Sequence, residues 1–149
     1  MNSRIAEIMA IAQVVGSVGM LGVIWMVQVV HYPLMSFVSS ARFAHFESAH
    51  RTRISMVVGP LMAVEGICVI AFLVSPPPGL ICWLPWAGAA AEAVAIGTTV
   101  LVSAPLHERL NACYDQVNLD RLIATNWIRT FAWTCRAGLA IVMLVDVAR

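Results

Sequence analysis

Apolar residues recur along the chain in four long blocks, 8–30, 54–74, 81–103 and 127–147, separated by one short and two long polar connections. Each block is close to the ~20 residues that a helix needs to cross hydrocarbon. Lipid offers no partner for a free N–H or C=O, so a segment of this kind must satisfy its backbone within itself. The pattern predicts an all-α fold: a single transmembrane domain, built as an integral membrane four-helix bundle with antiparallel up-down topology. The two long connections, 31–53 and 105–126, carry helical periodicity of their own. Phe43, Phe46, His50, Arg53 and Val57 follow one another at intervals of three and four. Asn118, ahead of Leu119, Asp120 and Arg121, offers an N-cap. Helices two and four are therefore expected to extend out of the bilayer. Ser75-Pro76-Pro77-Pro78-Gly79 reads as a stiff, short hinge. Gly16, Gly19 and Gly22 mark a face where a neighbouring helix approaches closely.

Composition agrees with lipid as the solvent: 11% of residues are charged and the mean hydropathy is +0.84, where soluble domains carry about 25% charged residues. The net charge of +1 provides no basic surface for nucleic acid. All nine basic residues are arginines, so chemistry that runs through a lysine Schiff base is excluded. Cys68, Cys82, Cys113 and Cys135 stand singly, without metal-ligand spacing. The apolar run 8–30 outlasts the h-region of a signal peptide, so it is expected to stay as a span. Arg42, Arg51, Arg53, Arg109, Arg121 and Arg129 fall at loops one and three, against Arg4 and Arg149 on the other side. Arginine bias then predicts loops one and three in the cytoplasm and both termini outside.

An even number of crossings brings distant polar residues to one membrane face. His31 closes the first span, His50 and Arg53 precede the apolar part of the second, and His107 follows the third. Gln28, Asn126, Trp127 and Arg129 lie at the same level. In the fourth span Asn126, Arg129, Trp133 and Arg136 share a helix face. Arg136 lies about 13 Å past Trp127 at 1.5 Å per residue, at a depth where an arginine needs a partner. Glu65 is its expected partner and Glu92 the second candidate, and such a trio reads either as a structural ion pair or as a proton relay or ligand anchor. The His31, His50 and His107 imidazoles could ligate a transition metal, or one or two of them a haem iron. Without a cofactor, Arg53 and Arg129 would hold oxygens of a hydrophobic ligand while Trp127 and Trp133 flank its ring. No HExxH or HxH pattern is present to choose between these readings.

His31-Tyr32-Pro33-Leu34, Arg53-Ile54-Ser55 with Pro60 and Glu65, Pro105-Leu106-His107, and Asn126-Trp127-Ile128-Arg129-Thr130 with Trp133 and Arg136 resemble the small four-helix bacterial membrane proteins grouped with anthrone oxygenases. That resemblance implies an oxygenase acting on a reduced aromatic ring at the polar cluster. A fainter resemblance, through His31, Pro33, Arg53 and Pro60, is to the four-helix haem-containing protoporphyrinogen oxidase. That family also uses a lysine, which this chain lacks, so its activity is not carried over. The leading expectation is a small membrane oxidoreductase, oxygenase-like, that takes a hydrophobic ring-bearing small molecule from the lipid. His50 or His107 would act as base or metal ligand, and Arg53 and Arg129 would stabilise an oxyanion. The rival is a non-catalytic accessory subunit or small-molecule carrier with a structural polar stripe, acting with a partner subunit or as a homo-oligomer.

Overall fold

The computed structural model describes residues 2–149. Four helices, α1 (Ser3–Met35), α2 (Ser40–Val74), α3 (Leu84–Ala112) and α4 (Gln116–Val147), are each long and apolar enough to cross a membrane. Each packs against the next and α4 returns to α1, which closes an antiparallel four-helix bundle. Ile8, Ile11, Ile67, Ile70, Leu101 and Phe131 project outward as exposed apolar side chains, the surface that a bilayer covers. The chain is an integral membrane protein.

All four helices outrun the hydrocarbon, not only the second and fourth. The 35 residues of α2 reach about 52 Å, against a core of ~30 Å. Most of what reads as loop is helix, and only 36–39 and 113–115 break the chain at the histidine end. His31 and His107 accordingly lie inside α1 and α3 rather than beyond their ends. Proline normally stops a helix because its ring strikes the carbonyl one turn back. Here a π turn precedes two of the helical prolines, Val27–His31 before Pro33 and Thr99–Ser103 before Pro105, whereas Pro60 lies inside α2 without one. The wider turn leaves room for the pyrrolidine ring, and the helix continues. At the start of α4 the cap is Asp115, not Asn118, because its carboxylate accepts from the Val117 and Asn118 amides at 3.2 and 3.3 Å.

The two hairpins repeat one plan. Gly16 and Gly88, the two π turns, and Pro33 and Pro105 are each separated by 72 positions. Both glycines clear space for a charged side chain of the following helix. A Cβ on Gly16 would lie 2.8 Å from Glu65 Oε1, and one on Gly88 would lie 2.8 Å from Arg136 Nη1. Gly19 makes the same room for Leu61, whereas Gly22 faces open space.

The interior is layered along the bundle. Val27, Tyr32, Met35, Phe43, Leu106, Leu110, Leu119 and Leu122 fill the histidine end. Met20, Ile24, Ala95, Ala132 and Trp133 form the middle, and Ala10, Phe72, Leu84 and Met143 form the far end. Between the last two layers Arg136 Nε stands 2.9 Å from Glu65 Oε2 and 3.5 Å from Glu92 Oε2, all three side chains being buried.

Candidate functional site

The π turn in α1 decides which side chain enters the bundle. Ala6, Ala10, Gln13, Ser17, Met20 and Ile24 form its buried stripe, and steps of three and four continued from Ile24 through Val27 would place His31 inward. The extra residue of the turn shifts the register, so that Tyr32 and Met35 are buried while His31 is half-buried. In α3 the corresponding turn buries Ser103 and brings His107 to an inner cavity.

His107 is the centre of a chain of three groups. Its Nδ1 is 2.5 Å from Glu47 Oε1, and its Nε2 is 2.9 Å from the Tyr32 hydroxyl. A carboxylate only accepts, so Nδ1–H donates to Glu47, and Nε2 is left to accept the Tyr32 O–H. Glu47 is fully buried and Tyr32 nearly so. Three helices therefore supply one carboxylate, imidazole and phenol relay, in which the carboxylate fixes the tautomer of the ring.

Arg129 reaches the same cavity from α4 and interacts electrostatically with the Tyr32 hydroxyl. Its Nη1 donates to Asn126 Oδ1 at 2.8 Å, and Asn126 Nδ2 donates to Gln28 Oε1 at 2.8 Å. Gln28 Nε2 in turn donates to the Ile123 carbonyl at 3.3 Å. Gln28 and Asn126 thus stand behind the guanidinium and orient it, rather than lining the cavity themselves. Arg129 is only 8% exposed, its Nε has no hydrogen-bond partner, and no carboxylate pairs with it among the described residues. A buried, unpaired cation of this kind calls for an anion that the chain does not provide.

The cavity holds about 230 Å³ between Met20, Ile24 and Val27 of α1, Ile54 and Val58 of α2, and Thr99 and Ser103 of α3. Tyr32, His50, His107 and Arg129 supply its polar wall. Ser55 and Ala104, both exposed, lie on its rim, so it opens sideways between α2 and α3 toward lipid. Arg51, half-buried on that rim, reaches Glu108 across the opening at 3.9 Å.

The remaining candidates divide. His31, His50 and His107 are neighbours, with ring centroids 4.3 Å apart for the first pair and 5.5 Å for the second. They do not form a metal centre. Both nitrogens of His107 are engaged, and the His31 and His50 rings stack, so their in-plane lone pairs do not converge. No cluster of three or more His, Cys, Asp or Glu among the described residues is arranged to hold a metal ion. Arg53 is exposed in a separate groove between α1 and α2, away from Arg129. Trp127 sits on the outer flank, 5.7 Å edge-on to Trp25, and Trp133 is buried in the middle layer. Neither flanks the cavity.

Sequence reasoning passed over Glu47, Tyr32 and Arg51. Glu47 had a signal: stepping back from Glu65 by fours and threes through Leu61, Val58, Ile54 and His50 arrives at Glu47 and then Phe43. Tyr32 had none, because nothing in the residue types announces a π turn. No family model, curated protein or solved structure matches this chain.

Proposed function

We propose that this protein is a membrane oxidoreductase of the oxygenase type, which deprotonates a hydrophobic, ring-bearing small molecule drawn from the lipid and lets the resulting anion react with dioxygen. The observation that carries this reading is Arg129: a buried guanidinium without an acidic partner, facing the same cavity as the Glu47, His107 and Tyr32 relay. A base beside an unpaired cation is what the formation of a phenolate or enolate requires. The lateral opening between α2 and α3 gives an apolar compound access without passage through water.

In this mechanism the substrate displaces the Tyr32 hydroxyl from His107 Nε2, and a ring CH₂ conjugated with a carbonyl across the ring gives up a proton to that nitrogen, with Glu47 accepting from the imidazolium at Nδ1. The electron pair passes to the carbonyl oxygen, where Arg129 holds it as an enolate. Addition of dioxygen to the ring carbon and return of the proton give a hydroperoxide, which loses water to leave a second carbonyl. The balance is CH₂ plus O₂ to C=O plus H₂O, and the ring supplies the four electrons that dioxygen takes up.

In this reading loops one and three face the cytoplasm of a bacterial inner membrane, and arginine placement supports that orientation. The bias holds even though Arg129 is buried, because Arg42, Arg51, Arg53, Arg109 and Arg121 remain against Arg4 and Arg149. The deciding experiment is oxygen uptake by the protein in vesicles supplied with a hydroxylated anthrone. Wild type is expected to consume one dioxygen per ring oxidised, and His107→Ala to lose ~10²- to 10⁴-fold in rate. Equal rates in the two would overturn the mechanism, and no uptake by wild type would overturn the substrate class.

A further inference from the structure

A second space lies on the outer side of the cavity wall. The groove between α1 and α2 measures about 320 Å³ and is lined by Met26, Val27, His31, Phe46, Ala49, His50, Arg53, Ile54 and Val57. Val27, His50 and Ile54 also line the inner cavity, so the two spaces are one side chain apart. Its volume falls within the range of ligand pockets, ~300–1,000 Å³.

Two features separate this groove from an ordinary lipid-facing furrow. The first is a set of nearly parallel rings: His31 is inclined 20° to Phe46 and 24° to His50, and Phe46 and His50 are within 8° of each other. Such a set offers a flat surface suited to another planar ring. The second is Arg53, an exposed guanidinium that pairs with no acid among the described residues. His31 adds an enclosed Nε2 without a hydrogen-bond partner. An acyl chain has use for neither the flat surface nor the charge.

We infer that this groove is a second binding site, which holds a planar phenol with its ring against the Phe46, His31 and His50 stack and its oxygen on Arg53. It rests on the reading of the inner cavity as the reacting site, and it gives that cavity a loading position on the lipid side of His50. Planarity selects for fused aromatic rings over flexible lipids, and the cation selects for an ionisable oxygen.

The test is equilibrium titration of the purified, detergent-solubilised protein with a hydroxyanthraquinone, a planar phenol at the oxidation level of the product and therefore not consumed. Two molecules per chain are expected. Arg53→Gln, a change at an exposed position, should weaken one of them by about tenfold or more, and Ala49→Trp should exclude it by filling the groove. Arg129→Gln should remove the other and leave the groove site intact. A single bound molecule indifferent to Arg53→Gln overturns the inference. So does an Arg53→Gln protein that sheds copurified phospholipid with its dye stoichiometry unchanged, since that assigns the groove to lipid. The reacting site is judged separately by oxygen uptake in His107→Ala, so two bound molecules with unchanged turnover would count against the mechanism and not against the groove.

Discussion

The Tyr32 hydroxyl and His107 Nε2 meet at 2.9 Å across the bundle, 75 residues apart in sequence, and each side chain follows a π turn in its own helix. The two turns act alike. Each carries its helix past a proline and changes which residue faces inward, so the relay depends on backbone geometry as much as on residue type. Three groups in series have unequal roles, and this ordering is measurable. Glu47→Gln replaces an obligatory acceptor by an amide that can present N–H to Nδ1, which frees His107 to take the other tautomer. Its turnover should therefore approach the loss in His107→Ala. Tyr32→Phe leaves the imidazole in place and should cost less than either. A Glu47→Gln enzyme with wild-type turnover would show that the carboxylate does not orient the base.

Arg129 tests function against stability. A charge kept for structure stabilises the fold, whereas one kept for a ligand is tolerated at a cost. Arg129→Gln retains a donor for Asn126 Oδ1 and removes the unpaired charge. Thermal stability should be unchanged or higher, while turnover falls by ~10²- to 10³-fold, the loss typical of a missing oxyanion donor. A lower melting temperature would place Arg129 among the structural residues instead.

The buried trio should behave in the opposite way. Removing one partner of a buried pair leaves the other charge exposed to a dry interior, at a cost of about 3–5 kcal/mol. Glu65→Ala and Arg136→Ala are each expected to destabilise by that order. The double mutant should lose less than the sum, with a coupling of about 0.5–3 kcal/mol. One guanidinium balances only one carboxylate, and Glu92 is the more distant at 3.5 Å, so Glu92→Gln should be nearly neutral. Strict additivity in reversible unfolding of the Glu65 and Arg136 variants would deny that the two side chains interact.

The depth of these groups shows how much of the molecule was legible in advance. Four apolar blocks gave the crossings, and 3.6-residue spacing with a rise of 1.5 Å placed Glu65, Glu92 and Arg136 at one level, because α2 and α4 are regular through that region. The same arithmetic fails near His31 and His107, where each helix takes in one extra residue. It offered His31 and Arg53 for the inner site, which the structure builds from Tyr32, Glu47, His107 and Arg129. Residue type misled as well: Trp127 reads as a ring to flank a ligand, yet it packs with Trp25 and Phe131 on the outer flank. A histidine count found the right end of the bundle but not the carboxylate that governs the one histidine in the relay.

Glycine substitutions give a sign test of the repeated plan. In a helix interior, Gly→Ala normally stabilises by about 0.5–1 kcal/mol, because alanine loses less backbone freedom on folding. Gly22, Gly97 and Gly138 have nothing within 4 Å of an added Cβ, so alanine at each should raise stability by that amount. Gly16 and Gly88 are different: a methyl would press on Glu65 Oε1 and on Arg136 Nη1, each at 2.8 Å. Those atoms are the ends of long side chains, which yield easily at a surface, but here both belong to the buried trio, so that moving either one disturbs the ion pair. Gly16→Ala and Gly88→Ala should each destabilise by about 1–3 kcal/mol, the usual cost of overpacking. Relief should follow from shortening the residue opposite, so Gly16→Ala combined with Glu65→Asp should recover part of the loss while Gly88→Ala with Glu65→Asp should not. Equal effects at Gly16, Gly22 and Gly88 in thermal unfolding would mean that the glycines are not there to admit the charged side chains.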